Sequence, residues 1–132
     1  MIEQTLALIK PDAVERNLIG KILSEYEEHQ LKIIKMKMLT PSKELASKHY
    51  AEHKEKSFYD DLMYYITSGP VVAFILEGKD AVSRVRKLNG ATDPKEAAQN
   101  TIRSLYGIDL SHNTVHASDS LENAKKEQEI WF

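Results

Sequence analysis

The stretch Ser68-Gly69-Pro70-Val71-Val72-Ala73-Phe74-Ile75-Leu76 decides the architecture of this chain. A glycine and a proline close whatever precedes them, and six apolar residues then follow without a polar interruption. A short run rich in β-branched and aromatic side chains reads as a central strand covered on both faces. It is also the longest apolar run in the 132 residues, far short of the roughly 20 that would cross a bilayer.

Outward from that strand, two periodicities alternate. Upstream, Thr5 to Ile9 reads as a second buried strand, stopped by Lys10-Pro11-Asp12. From Asn17 to Gln30 the apolar residues Leu18, Ile19, Ile22, Leu23 and Tyr26 recur at helical spacing, opposite Glu25, Glu27 and Glu28. Leu31 to Leu39 alternates Met36 and Met38 with Lys35 and Lys37, a half-exposed strand whose phase slips at Ile33-Ile34 as a bulge would make it. Two short helices are expected around 41–52 and 58–67. Downstream, Asp80 to Leu88 carries Val82, Val85 and Leu88 on one side and closes at Asn89-Gly90. Periodicity then fails from Gly90 to His112, and long irregular segments in compact domains are usually functional. Asn113 to His116 reads as a last short strand, and Asp119 with Glu122 as a capping-box start to a final helix. The resulting order is strand-helix-strand, a helical insert, strand-helix-strand and a last helix. It fits a ferredoxin-like split βαβ sandwich over residues 1–132 as one domain: a four-stranded antiparallel sheet with helices on one face, plus extra helices and a C-terminal helix.

Composition narrows the function classes. Apolar residues are 42% and charged residues 29%, an ordinary globular balance. With 18 Lys and Arg against 20 acids the net charge is −2, so no global field attracts a nucleic acid, and none is expected as a stable partner. The chain has no cysteine, which removes disulfides, thiolate metal sites and cysteine nucleophiles. Its opening, Met1-Ile2-Glu3-Gln4, lacks the basic and apolar regions of a signal peptide, so a cytoplasmic location with no membrane partner is expected.

Neither glycine-rich phosphate loop, GxxxxGK[ST] or GxGxxG, is present, so any phosphate site must be built from side chains. Lys10, Arg84 and Arg103 each stand beside a break in regular structure, with arginine as a forked donor and lysine as a point charge. Of the five histidines, His29 belongs to a charged helical face, and His49 and His53, four apart, read as solvated surface. His116 differs, because it ends a strand just before a helix N-terminus, where backbone N–H groups favour anions.

The stretch Asn113-x-x-His116-x-Ser118-Asp119-Ser120 resembles the active-site signature of the nucleoside diphosphate kinases, N-x-x-H-G-S-D-S. Lys10-Pro11-Asp12, Ser68 to Ala73, Gly90-Ala91-Thr92-Asp93-Pro94, Thr101-Ile102-Arg103 and the closing Trp131-Phe132 are similar to further motifs of that family, in order along the chain. The resemblance implies transfer of a γ-phosphoryl group from a nucleoside triphosphate, typically ATP, to a nucleoside diphosphate. It implies a ping-pong route through a phosphate on Nδ1 of His116, with little base specificity. Glu127 and Ser118 would orient the ring. Lys10 and Tyr50 would support the phosphoryl group, while Arg84, Thr92 and Arg103 grip the diphosphate. Asn113 would bind the ribose, and Phe58 and Leu110 would sandwich the base. Mg²⁺ would arrive on the nucleotide phosphates, with no protein ligand set, and the chain would assemble as a tetramer or hexamer from a common dimer. Ala117, Gln99-Asn100 and Ser104-Leu105 depart from the family pattern; Ala117 is expected at negative φ and Asn100 at positive φ.

Overall fold

The computed structural model describes residues 2–110 and 112–132. Met1, at the opening read as leaderless, and Ser111, in the segment expected to be irregular, lie outside the described residues. Four strands, β1 (Ile2–Ile9), β2 (Lys32–Leu39), β3 (Val71–Lys79) and β4 (Val115–Ala117), form one sheet in the order β2-β3-β1-β4. Every neighbouring pair is antiparallel, with β1 against β3 from Ile2↔Lys79 to Ile9↔Val72. The expected central strand is therefore central, flanked by β1 and β2. The phase slip in β2 is a bulge, with pairing that skips from Ile33 to Lys35.

Among the described residues seven α-helices form: α1 (Pro11–Glu15), α2 (Ile19–Glu28), α3 (Lys43–His49), α4 (Tyr59–Ile66), α5 (Ala81–Asn89), α6 (Ile102–Tyr106) and α7 (Leu121–Trp131). They cover both faces of the sheet. Ala7, Ile9, Phe74 and Leu76 point to one face and pack with Ile22 and Tyr26 of α2 and Val85 of α5. Leu6, Leu8, Val71 and Ala73 point to the other, against Ala46 of α3, Ile66 of α4 and Trp131 of α7. Successive side chains of a strand alternate between faces, which is why one run of apolar residues serves two cores. The first face is the split βαβ layer, and the insert with the last helix builds the second.

Three local expectations change. The helix expected over 17–30 is preceded by α1, which begins at Pro11, where a missing N–H costs nothing. The segment after Gly90 holds α6, five residues too few to show a period, capped by the Thr101 hydroxyl accepting from Ser104 N–H. The last helix is capped by Ser120, whose hydroxyl accepts from Asn123 N–H, and not by Asp119. Asn100 does take positive φ, at 69°, and Ala117 is absent from the positive-φ residues.

Candidate active site

The antiparallel ladder sets His116 opposite Leu8. Directly opposed residues share a face, and Leu8 belongs to the core that holds Trp131. The imidazole therefore points toward α7, where Glu127 and Trp131 are four residues apart and on one side of the helix. One carboxylate oxygen of Glu127 lies 2.7 Å from Nε2 of His116 and accepts from the Ser118 hydroxyl at 2.9 Å. With Glu127 ionised, Nε2 carries the ring proton and Nδ1 keeps its lone pair.

A strained turn delivers the strand. Thr114, fully buried and β-branched, has φ 79°, and Val115 N–H donates across it to Asn113 C=O at 2.9 Å. The Thr114 hydroxyl donates to Asp12 of α1 at 3.0 Å, and Asp12 also receives Arg16 at 3.1 Å and the Tyr65 hydroxyl. On the near side of this turn Asn113 accepts from Lys10 Nζ at 2.8 Å and donates to Thr92 C=O at 2.9 Å. It joins the end of β1 to the loop after α5.

These groups open into a cavity of about 980 Å³. Lys10, Tyr50, Thr92, Arg103, Asn113, His116 and Glu127 all line it. Ser118, fully buried, stands behind Glu127. Arg103 donates to Gly90 C=O at 2.9 Å and Val115 C=O at 2.8 Å, so its guanidinium is fixed by backbone at the cavity wall. Gly90 has φ 88°, and a Cβ there would lie 2.4 Å from the Thr101 hydroxyl, so only glycine allows the loop to close on α6.

Arg84 is corrected. It donates to Lys79 C=O at 2.9 Å and to His29 C=O, away from the cavity, while Arg86 lines it. The helix phase carries the signal. Ala81, Val85 and Asn89 form the buried stripe of α5, so residues 84 and 86 lie on opposite sides of Val85, and residue 86 is in the last turn before Thr92. His49 and His53 are corrected as well, since both line the cavity. His49 packs edge-on to His116 at 4.6 Å, a contact between α3 and β4 that spacing could not show. Phe58 and Leu110 are 45% and 60% exposed and lie outside the cavity lining; Phe58 stacks 5.7 Å from His53 at its edge.

Charge and burial tune the site. His116 is held near pKa 3 by burial and by Lys10, Arg103 and Arg86, so the imidazole is neutral at physiological pH. Lys10 is lowered to about 8 by burial and Arg103. Burial raises Glu127, opposed by its hydrogen bond from Ser118. His49, His116 and Glu127 place potential metal-ligand atoms within 4.8 Å of one another. That set is rich in nitrogen and already engaged in hydrogen bonds, and it does not match the all-oxygen shell that Mg²⁺ requires.

A neutral imidazole ringed by cations has the chemistry to attack an anionic electrophile, and fold and site together fit the class of phosphotransferases. The family model for nucleoside diphosphate kinase matches residues 3–132. A nucleoside diphosphate kinase of Clostridium perfringens is 55% identical over 99% of this chain and 92% of its own length. One of Pyrococcus furiosus is 53% identical over 99% and 83%. Among solved structures, the Aquifex aeolicus nucleoside diphosphate kinase has a TM-score of 0.97 at 42% identity, covering 100% of this chain and 96% of its own. A Halobacterium salinarum nucleoside diphosphate kinase in complex with CDP has a TM-score of 0.97 at 46% identity, covering 100% and 88%. The chain belongs to the nucleoside diphosphate kinase family, a family of phosphotransferases.

Proposed function

We propose that residues 1–132 act as one domain that moves a γ-phosphoryl group from ATP or another nucleoside triphosphate to a nucleoside diphosphate through a phosphate on Nδ1 of His116. The observation that carries this reading is the Glu127–His116 contact at 2.7 Å inside a cavity that also holds Lys10, Arg86 and Arg103. In the first half-reaction Nδ1 attacks the γ-phosphorus, an N–P bond forms, and the diphosphate leaves with the bridging oxygen. The second half-reaction is the reverse with a different diphosphate. Glu127 holds the Nε2 proton throughout, so the charge that develops on the ring is met by a carboxylate. Lys10, Arg86 and Arg103 neutralise the equatorial oxygens of a loose transition state. Thr92 and Tyr50 present hydroxyls to the phosphates, and Asn113, released from Lys10 by the nucleotide, turns to the ribose. Phe58 and Leu110 at the rim take the base between them, a contact that every base can make.

Mg²⁺ is proposed to enter on the nucleotide's own phosphate oxygens, where it neutralises charge. Among the described residues no helix is long and apolar enough to cross a membrane, which fits the cytoplasmic setting proposed here. Assembly as a homo-oligomer, tetramer or hexamer, is supported by β2, an edge strand with Met36 and Met38 exposed and one side unpaired.

The test is incubation with γ-labelled ATP and Mg²⁺. Label that is lost in acid and kept in alkali is expected on the wild type and absent from His116→Ala. Steady-state transfer should fall by about 10⁶ in that variant, the scale seen when other nucleophiles are removed. Normal turnover by His116→Ala would refute the reading. Diphosphates of all four bases should have kcat/KM values within about two decades, and a preference beyond about 10⁴ would mean that a group reads the base edge.

A further inference from the structure

His49 is the last residue of α3 and half-buried at the back of the cavity. Its ring stacks edge-on with His116 at 4.6 Å and with Trp131 at 5.4 Å. The indole Nε1–H of Trp131 donates to His49 Nδ1 at 3.1 Å. An indole nitrogen is a donor only, so this bond settles a question that stacking leaves open. Nδ1 of His49 must be unprotonated, and the ring proton sits on Nε2.

One ring nitrogen of His49 lies within 4.8 Å of both a ring nitrogen of His116 and a carboxylate oxygen of Glu127. The corner therefore contains two imidazoles and one carboxylate, and its proton pattern has two alternatives. With the proton of His49 on Nε2, its free edge is a donor and does not compete for the proton of His116, which the Glu127 carboxylate accepts. With that proton on Nδ1, the free edge becomes an acceptor that competes with Glu127 for the proton of His116. A His116 proton shared with a neutral imidazole in place of the carboxylate would leave the positive charge that develops on the ring unmatched.

We propose that His49 is a positioning residue for the phosphoryl-transfer reaction, locked by Trp131 into the tautomer that keeps the Glu127 carboxylate as the acceptor for the Nε2 proton of His116. This rests on the function proposed above. Helix α7 then serves the nucleophile twice: directly through Glu127, and one turn later through Trp131 and His49. The titratable groups facing His49 are Tyr50 and His53 of its own segment, Lys10 after β1, His116 on β4 and Glu127 on α7. Burial together with His116 holds it near pKa 3, so it stays neutral wherever the enzyme works.

Two variants and one spectrum test this. His49→Phe keeps an aromatic ring and removes both nitrogens, and Trp131→Phe removes the donor together with part of the buried indole. Each is expected to slow His116 phosphorylation by about ten-fold, the lower range for partners that orient a reacting ligand. Each should also move the acid limb of the rate profile to higher pH, because the His49 ring, whose influence lowers the Glu127 pKa, is removed or loosened. Long-range ¹H–¹⁵N spectra of the wild type should show His49 protonated on Nε2 and His116 on Nε2. In Trp131→Phe they should show mixed tautomers at His49. A wild-type spectrum with the His49 proton on Nδ1 overturns the proposal, even where the variants fail to fold. Wild-type rates with an unmoved acid limb in both variants overturn it as well. If instead the wild type forms no phosphohistidine, the function reading fails, and the tautomer spectra still decide the coupling.

Discussion

Two sides of one helix, α5, carry arginines that end in unlike places. On its outer side Arg84 ties the end of β3 to the end of α2 by donating to Lys79 and His29 carbonyls. On its inner side Arg86 faces the cavity and is among the charges that hold His116 neutral. The two residues have the same chemistry and stand two positions apart, so their roles follow from a rotation of roughly 200° about the helix axis. Residue type offers two candidate phosphate ligands, and phase decides which of them faces the cavity.

The comparison can be broken most directly by removing each arginine in turn. Arg86→Ala is expected to lower kcat/KM by about 10²–10³, the usual loss for one donor to a developing anion. Arg84→Ala should leave kcat/KM within about three-fold and lower the urea midpoint by the equivalent of about 1–2 kcal/mol, the range for charged hydrogen bonds to backbone. Swapped outcomes would return the phosphate role to Arg84.

Lys10 sharpens the same contrast, because its charge is kept in the cavity against its own solvation. Its folded pKa of about 8 lies below the ordinary 10.5. Between those values the unfolded chain binds a proton that the folded chain does not, so this group's contribution to stability rises with pH across that window. Below about pH 8 the folded state carries a charged ammonium that it holds poorly. Lys10→Met should therefore abolish turnover and yet stabilise the fold at pH 7 by about 1–3 kcal/mol, less the lost Asn113 bond, with the gain fading toward pH 10.5. Urea titrations at pH 7 and pH 10 measure both, and a Lys10→Met protein that is less stable at pH 7 contradicts the account.

The smallest expected effect lies in the loop that carries Arg103. Asn100→Gly should be neutral or mildly stabilising, because φ is 69° there. Asn100→Val should destabilise by about 1–2 kcal/mol and raise KM through Arg103. Equal melting temperatures and KM values for the two variants would show that the turn does not depend on this residue.

The central place of β3 and the β2 bulge were legible in the sequence, the first from an unbroken run of six apolar residues and the second from an alternation that slips at Ile33-Ile34. The contact of His116, Glu127 and Ser118 was legible through motif resemblance. α6 was not legible, since five residues hold no repeat. His49 was read as surface because its burial depends on Trp131, 82 positions away, and no local pattern reports such a contact. Arg84 was read as a diphosphate ligand and Arg86 went unweighed, although both adjoin the same apolar stripe; telling them apart needs the direction of the loop beyond Gly90.

His116 stands on a strand of three residues at the edge of the sheet, whereas β1 and β3 are joined over eight paired residues. Edge segments with few ladder bonds open at lower free energy than the body they attach to. Backbone amides of 115–117 should thus exchange with deuterium well before those of 5–9 and 72–76. On heating, catalytic competence is then lost in a step of its own, ahead of the melting seen by circular dichroism. A warmed sample can pass every assay of foldedness and already have stopped turning over.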